Sequence, residues 1–93
     1  MTGTTRSSAD LEPRRKRLLY HAWHRGTREM DLLLGRFTDA TITTWTDAEV
    51  EQMEALMRVP DTELYRWITE QDEVPPNHRS PVLDRVIAFH KGA

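Results

Sequence analysis

Apolar residues recur at the spacing of an α-helix on both sides of one glycine, Gly26, and no other feature constrains the fold as strongly. The residues that share a helical face before and after this glycine are Leu18, Leu19, Ala22 and Trp23, and then Met30, Leu33, Leu34 and Phe37. Helices commonly end beside a residue in the left-handed backbone region, which glycine enters without a Cβ penalty. The sequence therefore predicts two helices that meet in a tight turn at Gly26.

Charged side chains crowd this turn, from His24 to Asp31. Arg25 is predicted in the last turn of the first helix and Glu29 in the first turn of the second, where each charge suits the helix dipole. This fit accounts for Arg25 and Glu29 without any function, but it does not account for the additional charge of Arg28 and Asp31. Crowded charge at one apex is also typical of a recognition surface. Both interpretations stay open at this point.

Five helices are predicted, because the one short β-branched stretch, residues 40–45, has no second strand to pair with. They run over about residues 10–24, 27–39, 46–59, 61–71 and 80–90. Their predicted N-caps include Asp10, Thr46 in a capping box, Asp61 and Ser80. Gly35 inside the second helix costs ~1 kcal/mol relative to alanine, which predicts close approach of a neighbouring helix. The predicted fold class is all-α, a compact five-helix bundle.

The length of 93 residues predicts a single domain, over residues 10–93. Residues 1–9 are small and polar, which predicts a disordered tail. The chain has no cysteine, which excludes disulfides, thiolate metal sites and a cysteine nucleophile. No stretch approaches the ~18 apolar residues of a membrane span. We therefore expect a small helical domain with a large solvated surface.

The charge is unevenly spread along the chain. Residues 1–28 hold seven Lys and Arg against two Asp and Glu, whereas residues 29–93 hold six against thirteen. A basic end attracts nucleic acid, an acidic protein surface or an anionic cofactor, and charge alone does not choose among them. The basic run at residues 14–17 is interpreted as a solvated face of the first helix.

The sequence offers little evidence of catalytic or metal chemistry. His21 and His24 can share a helical face, but no His-Glu-x-x-His pattern accompanies them. No serine, aspartate and histidine are spaced to argue for a triad, and a domain of this size leaves little room for a pocket of ~300 Å³. We therefore predict no catalytic residue and no metal site. The chain is predicted not to be a stand-alone enzyme.

Tyr65 and Trp67 form a candidate interface pair. Polar residues separate the aromatics on this stretch, so one of Tyr65 and Trp67 is predicted to point outward. An exposed aromatic side chain beside charge is a typical anchor of a protein interface.

Residues 17–37 closely resemble the signature of the succinate dehydrogenase flavinylation factors, bacterial and mitochondrial. The hallmark of that family is Arg-Gly-x-x-Glu, which here falls on Arg25, Gly26 and Glu29. Two further blocks match the family in order and approximate spacing, and these are residues 46–49 with Leu56, and residues 60–67. The resemblance covers about residues 14–71.

This resemblance implies a small helical assembly factor, chaperone-like, that binds the flavoprotein subunit of succinate dehydrogenase and promotes its covalent flavinylation. In some bacteria the related fumarate reductase is also a client. The FAD and the histidine that it joins belong to the client, so the resemblance implies that this chain holds no cofactor. The location follows the client, which is in the bacterial cytoplasm or in the mitochondrial matrix, and the short polar tail favours the bacterial cytoplasm. We also expect a monomer when free, with no nucleic acid as partner.

The resemblance also assigns roles to residues. Arg25, Gly26 and Glu29 are implied to form the functional turn, with Asp31 as a supporting acid. Residue 24 is often arginine in relatives and is histidine here. The full set of partner-binding candidates is His24, Arg25, Gly26, Arg28, Glu29, Asp31, Tyr65 and Trp67.

Two alternatives remain open. The basic first helix and the turn after it are compatible with a helix-turn-helix variant that binds nucleic acid. Against this interpretation, Glu29 and Asp31 at the leading end of the second helix would repel phosphates. An antitoxin-like regulatory role, which some relatives have been assigned, is the other alternative.

Overall fold

The computed structural model describes residues 11–92, which form five α-helices and two short 3-10 turns. The helices are α1 (Pro13–Trp23), α2 (Arg28–Thr41), α3 (Asp47–Met57), α4 (Asp61–Ile68) and α5 (Pro81–Gly92). The 3-10 turns are Ile42–Thr44 and Pro76–His78. Residues 11–92 contain no β-strand, so the predicted all-α fold with five helices is confirmed.

The described helices divide into two units, the first ending at Thr46 and the second beginning at Asp47. In the first unit α1 packs against α2, and in the second unit α3 and α4 each pack against α5. None of these helices has the length and apolar character needed to cross a membrane. The single domain over residues 10–93 stays a prediction, and the predicted tail at residues 1–9 lies outside the described residues.

Most helix starts follow the predicted capping signals, with small shifts. α1 begins at Pro13, whose missing N–H costs nothing at the first helical position, so Glu12 occupies the N-cap. The predicted cap, Asp10, lies outside the described residues. α3 begins directly after Thr46, as its capping box predicts. Asp61 is the first residue of α4 and not its cap, which is the residue before it.

α4 ends at Ile68, three residues earlier than predicted, where a backbone hydrogen bond and a side-chain pair of Arg66 close a turn after the helix. The carbonyl oxygen of Arg66 accepts a hydrogen bond from the backbone N–H of Gln71 at 2.8 Å, and the Arg66 guanidinium pairs with Asp72 at 2.7 Å. Glu70, within this turn, has a φ of +60°, which L-residues adopt at a cost. The chain therefore leaves the helix in a conformation that apolar spacing does not encode.

The buried side chains follow most of the predicted helical faces. Leu33, on the predicted apolar face of the second helix, is only half-buried. Apolar residues of α3 and α5 also stay partly accessible, since Met57 and Ile87 are half-buried and Phe89 is 37% exposed. The predicted core residues of α1, by contrast, are all buried. Apolar spacing therefore identifies the inward face of each helix more reliably than it identifies how far that face extends.

α1 and α2 approach each other closely at Gly35, which lies against the Trp23 side chain. A Cβ added there would lie 2.3 Å from Cδ2 of the Trp23 indole, far inside van der Waals contact. The close approach that the sequence predicts is therefore confirmed. It explains a glycine inside a 14-residue helix despite the cost of ~1 kcal/mol in helix propensity.

We expect Gly35→Ala to lower the free energy of unfolding by about 2 kcal/mol, because the new methyl group must displace a rigid indole ring. Urea denaturation followed by circular dichroism measures this loss. Gly92→Ala is the matched control, because a Cβ at Gly92 meets nothing within 4 Å. Equal stability of Gly35→Ala and the unchanged protein would contradict the packing described here.

Candidate functional site

The turn between α1 and α2, residues 24–27 (the α1–α2 turn), holds Arg25 and Gly26 of the predicted hallmark, and Glu29 follows in the first turn of α2. α1 ends before His24, whose backbone N–H donates to the carbonyl oxygen of His21 at 3.3 Å. Arg25 therefore follows the helix, whereas the sequence predicts it in the last helical turn. Gly26 has a φ of +121°, so the prediction of a left-handed glycine at this turn is confirmed.

Asp31 fixes the α1–α2 turn from the first part of α2. Its Oδ1 accepts hydrogen bonds from the backbone N–H of Arg25 at 2.5 Å and of Gly26 at 3.3 Å. Thr27 caps α2, and its hydroxyl oxygen accepts from the backbone N–H of Met30 at 3.3 Å. The carboxylate also lies where the helix dipole favours an anion. Asp31 therefore supports the motif by bonding to its backbone.

The candidate residues of this turn differ in exposure. Arg25 and Asp31 are half-buried. The exposed members are His24, Gly26, Arg28 and Glu29. The α1–α2 turn and the first turn of α2 thus together present charges of both signs to solvent, and Asp31, which bonds to the backbone of the α1–α2 turn, is half-buried.

Tyr65 and Trp67 lie on α4, in the second unit. Trp67 is only 6% exposed, because it follows Leu64 on the buried face of the helix, and its ring lies 5.1 Å from that of His78. Tyr65 is half-buried. The outward-pointing member of the pair is therefore not Trp67. A role for either residue in partner binding stays a prediction.

A groove of about 620 Å³ lies in the second unit, although the sequence predicts little room for a pocket. Trp67 forms part of its lining, together with several carboxylates. Two of these carboxylates make surface ion pairs, Asp72 with Arg66 at 2.7 Å and Glu70 with Lys91 at 3.1 Å. The hydrogen bond from Arg66 holds the pKa of Asp72 below its usual range. Across residues 11–92, no cluster of three or more histidines and acids can hold a metal ion.

Tyr20 is an exposed aromatic residue beside the α1–α2 turn that the sequence analysis does not single out. Its side chain is 60% exposed. The Tyr20 ring stacks on His24, with centroids 4.1 Å apart and planes 20° from parallel, and it meets the edge of His21 at 5.8 Å. His24 Nδ1 donates to the Tyr20 carbonyl oxygen at 2.7 Å. The i, i+4 spacing of Tyr20 and His24 is the signal that identifies such a pair in a sequence.

The chain is similar to known proteins over most of its length. The family described as "Flavinator of succinate dehydrogenase" matches residues 16–90, a longer stretch than the resemblance seen in the sequence. The chain is 38% identical over 78 residues to "FAD assembly factor SdhE" of Acetobacter pasteurianus, which covers 84% of this chain and 72% of that protein. No solved structure matches the chain.

Mitochondrial proteins also match. "Succinate dehydrogenase assembly factor 2, mitochondrial" of Dictyostelium discoideum is 36% identical over 84% of this chain, and the Danio rerio protein of that name is 31% identical over 92%. The chain spans about half the length of these two relatives, 55% and 56%.

We expect Asp31→Ala to loosen the α1–α2 turn, because two backbone N–H groups lose a charged acceptor, at a cost of about 1–2 kcal/mol. Amide hydrogen exchange by NMR measures the effect at Arg25 and Gly26, whose exchange should accelerate. Glu29→Ala is the matched control, since it removes an equal charge from the same helical turn without touching those amides. Unchanged exchange at both amides in Asp31→Ala would show that the carboxylate does not hold the turn.

Proposed function

The chain belongs to the family of flavinators of succinate dehydrogenase, and on this basis we propose that it is an assembly factor for a flavoprotein. It binds the flavoprotein subunit of succinate dehydrogenase and promotes the covalent attachment of FAD to that subunit. The family match agrees with the resemblance seen in residues 17–37. The names of the bacterial and mitochondrial relatives support the same role.

The observation that carries this proposal is the geometry of Gly26. Its backbone is exposed, its φ is positive, and a Cβ at this position would meet nothing within 4 Å. A partner can therefore approach the main chain directly, which a side chain would prevent. Arg25 and Glu29 flank this opening and can form charge-assisted hydrogen bonds to client groups.

We infer that the α1–α2 turn acts by positioning. The client supplies both the flavin and the histidine that becomes bonded to it. A rigid turn that docks on the client holds the part carrying the histidine within reach of the flavin, and such orientation lowers a barrier without any chemical group from the factor. The factor is then not itself the catalyst.

The local electrostatics support the proposal that FAD stays with the client. Helix N-termini bind phosphates through unpaired backbone N–H groups. In the turn before α2 the N–H groups of Arg25 and Gly26 already bond to Asp31, and at the start of α2 the N–H of Met30 donates to the Thr27 hydroxyl. The carboxylates of Asp31 and Glu29 add negative charge that repels a pyrophosphate. The same charges disfavour a nucleic acid as partner.

The proposed setting is the cytoplasm of a bacterium, where the factor acts as a monomer on a newly made client. The bacterial relative from Acetobacter pasteurianus supports this setting.

We expect Gly26→Arg to slow covalent flavinylation by at least about tenfold, because a misplacement of ~1 Å in a positioned reaction can cost ~100-fold. Purified flavoprotein subunit without covalent FAD is mixed with FAD and each variant, and in-gel flavin fluorescence follows the reaction. Gly92→Arg adds the same side chain where a Cβ has open space, so it should match the unchanged protein.

Gly26→Ala separates the effect of backbone strain from the effect of side-chain size. Alanine and arginine at position 26 both have to adopt the positive φ, but the alanine side chain is much smaller. We expect its flavinylation rate to fall between those of Gly26→Arg and the unchanged protein. Full activity of Gly26→Arg would show that the turn does not meet the client. No acceleration by the unchanged protein would contradict the assembly role itself.

A further inference from the structure

We propose that the exposed face of α1 extends the client-binding surface beyond the α1–α2 turn, with Tyr20 as its anchor. This α1 face consists of Lys16, Arg17, Tyr20, His21 and His24, all exposed. Its occupant is an acidic surface of the flavoprotein subunit, with an apolar recess that receives the Tyr20 ring. The inference rests on the proposed function and adds residues that neither the hallmark nor the family match assigns.

Tyr20 is held ready for binding. An exposed side chain usually loses rotamer freedom when a partner immobilises it, at about 0.5–1.5 kcal/mol. Here the ring is already stacked on His24 at 4.1 Å, and the hydrogen bond from His24 Nδ1 to the Tyr20 carbonyl oxygen fixes the imidazole. Tyrosine is among the residues that contribute most to interfaces, because it combines a large apolar body with a polar tip. A pre-stacked, 60% exposed tyrosine therefore suits the centre of an interface.

The charge of the α1 face defines its partner. Its members recur at positions i, i+1, i+4, i+5 and i+8, which form one side of a helix. Lys16 and Arg17 are its charged members. A partner surface that covers this face without leaving these cations unpaired must carry anionic groups, which on a protein are carboxylates. An acidic protein patch is the surface that satisfies this requirement and also offers a recess for an aromatic ring.

The α1 face and the α1–α2 turn are continuous. His24 belongs to both, because it stacks on Tyr20 and also ends α1 directly before Arg25. Tyr20 precedes His24 by four residues, or about 6 Å along the helix. A client that contacts the backbone at Gly26 therefore has Tyr20 within the span of one ordinary interface. We infer that both are covered in the same docking event.

The test measures the dissociation constant for purified flavoprotein subunit by isothermal titration calorimetry. Tyr20→Ala should weaken binding by about 30-fold, the loss expected for an interface anchor, whereas Tyr20→Phe keeps the ring and should stay within about threefold. Phe89→Ala is the control, because Phe89 is the other large apolar side chain that is exposed among residues 11–92. Thermal denaturation checks that each variant is folded.

A second measurement tests the charge of the occupant. The double variant Lys16→Glu and Arg17→Glu should slow association by about tenfold at low salt, and the difference should shrink at high salt, as for steered protein pairs. Charge-reversing substitutions on the client are not needed, because the salt dependence of the association rate shows whether the client surface is negatively charged. Association that is equally fast for both proteins would show that the α1 face does not meet an acidic surface.

The outcomes are distinguishable. If Gly26→Arg loses binding and Tyr20→Ala does not, the α1 face is not part of the interface, and the proposed function stands. If the unchanged protein does not bind the subunit at all, the proposed function fails, and this inference fails with it. If Tyr20→Ala and the Lys16→Glu, Arg17→Glu double variant weaken binding to duplex DNA while client binding is unaffected, the α1 face binds nucleic acid. That result overturns the inference.

Discussion

The two hydrogen bonds from the backbone of the α1–α2 turn to the Asp31 carboxylate are the interaction on which the functional geometry depends. A glycine with positive φ makes the turn possible, but glycine alone is flexible and would leave Arg25 and its neighbours in many orientations. The carboxylate selects one of them. The indole of Trp23 packs against Gly35 and holds α1 against α2 next to the α1–α2 turn. The turn therefore connects two helices whose relative position is fixed by packing.

The same carboxylate decides which ligands the turn can receive. A helix N-terminus with open N–H groups would attract phosphate, and nearby arginines would strengthen that preference. The N–H groups of Arg25 and Gly26 in the turn and of Met30 in α2 are already bonded. The side chains around them carry charge of both signs, which under the proposed function suits a protein surface better than an anionic cofactor. The basic and aromatic face of α1 adds area and positive charge next to it.

Local sequence signals predict much of this structure. Helical spacing, capping residues and the two glycines gave the five helices, the positive φ of Gly26 and the close approach at Gly35, because each depends on neighbours along the chain. Helical spacing does not predict features that depend on contacts made only in the folded chain. A backbone hydrogen bond to Arg66 and the pairing of its side chain with Asp72 close the chain after α4, and packing buries Trp67. The stacking of Tyr20 is also beyond local signals, because exposure and ring geometry follow from packing.

The central claim is that the client covers the α1–α2 turn. Hydrogen–deuterium exchange followed by mass spectrometry, on the full chain with and without purified flavoprotein subunit, tests it most directly. The account predicts that slowed exchange on binding is concentrated in peptides that cover residues 18–31. Protection confined to the acidic groove around residues 69–79, with exchange at residues 24–31 unchanged, would contradict it.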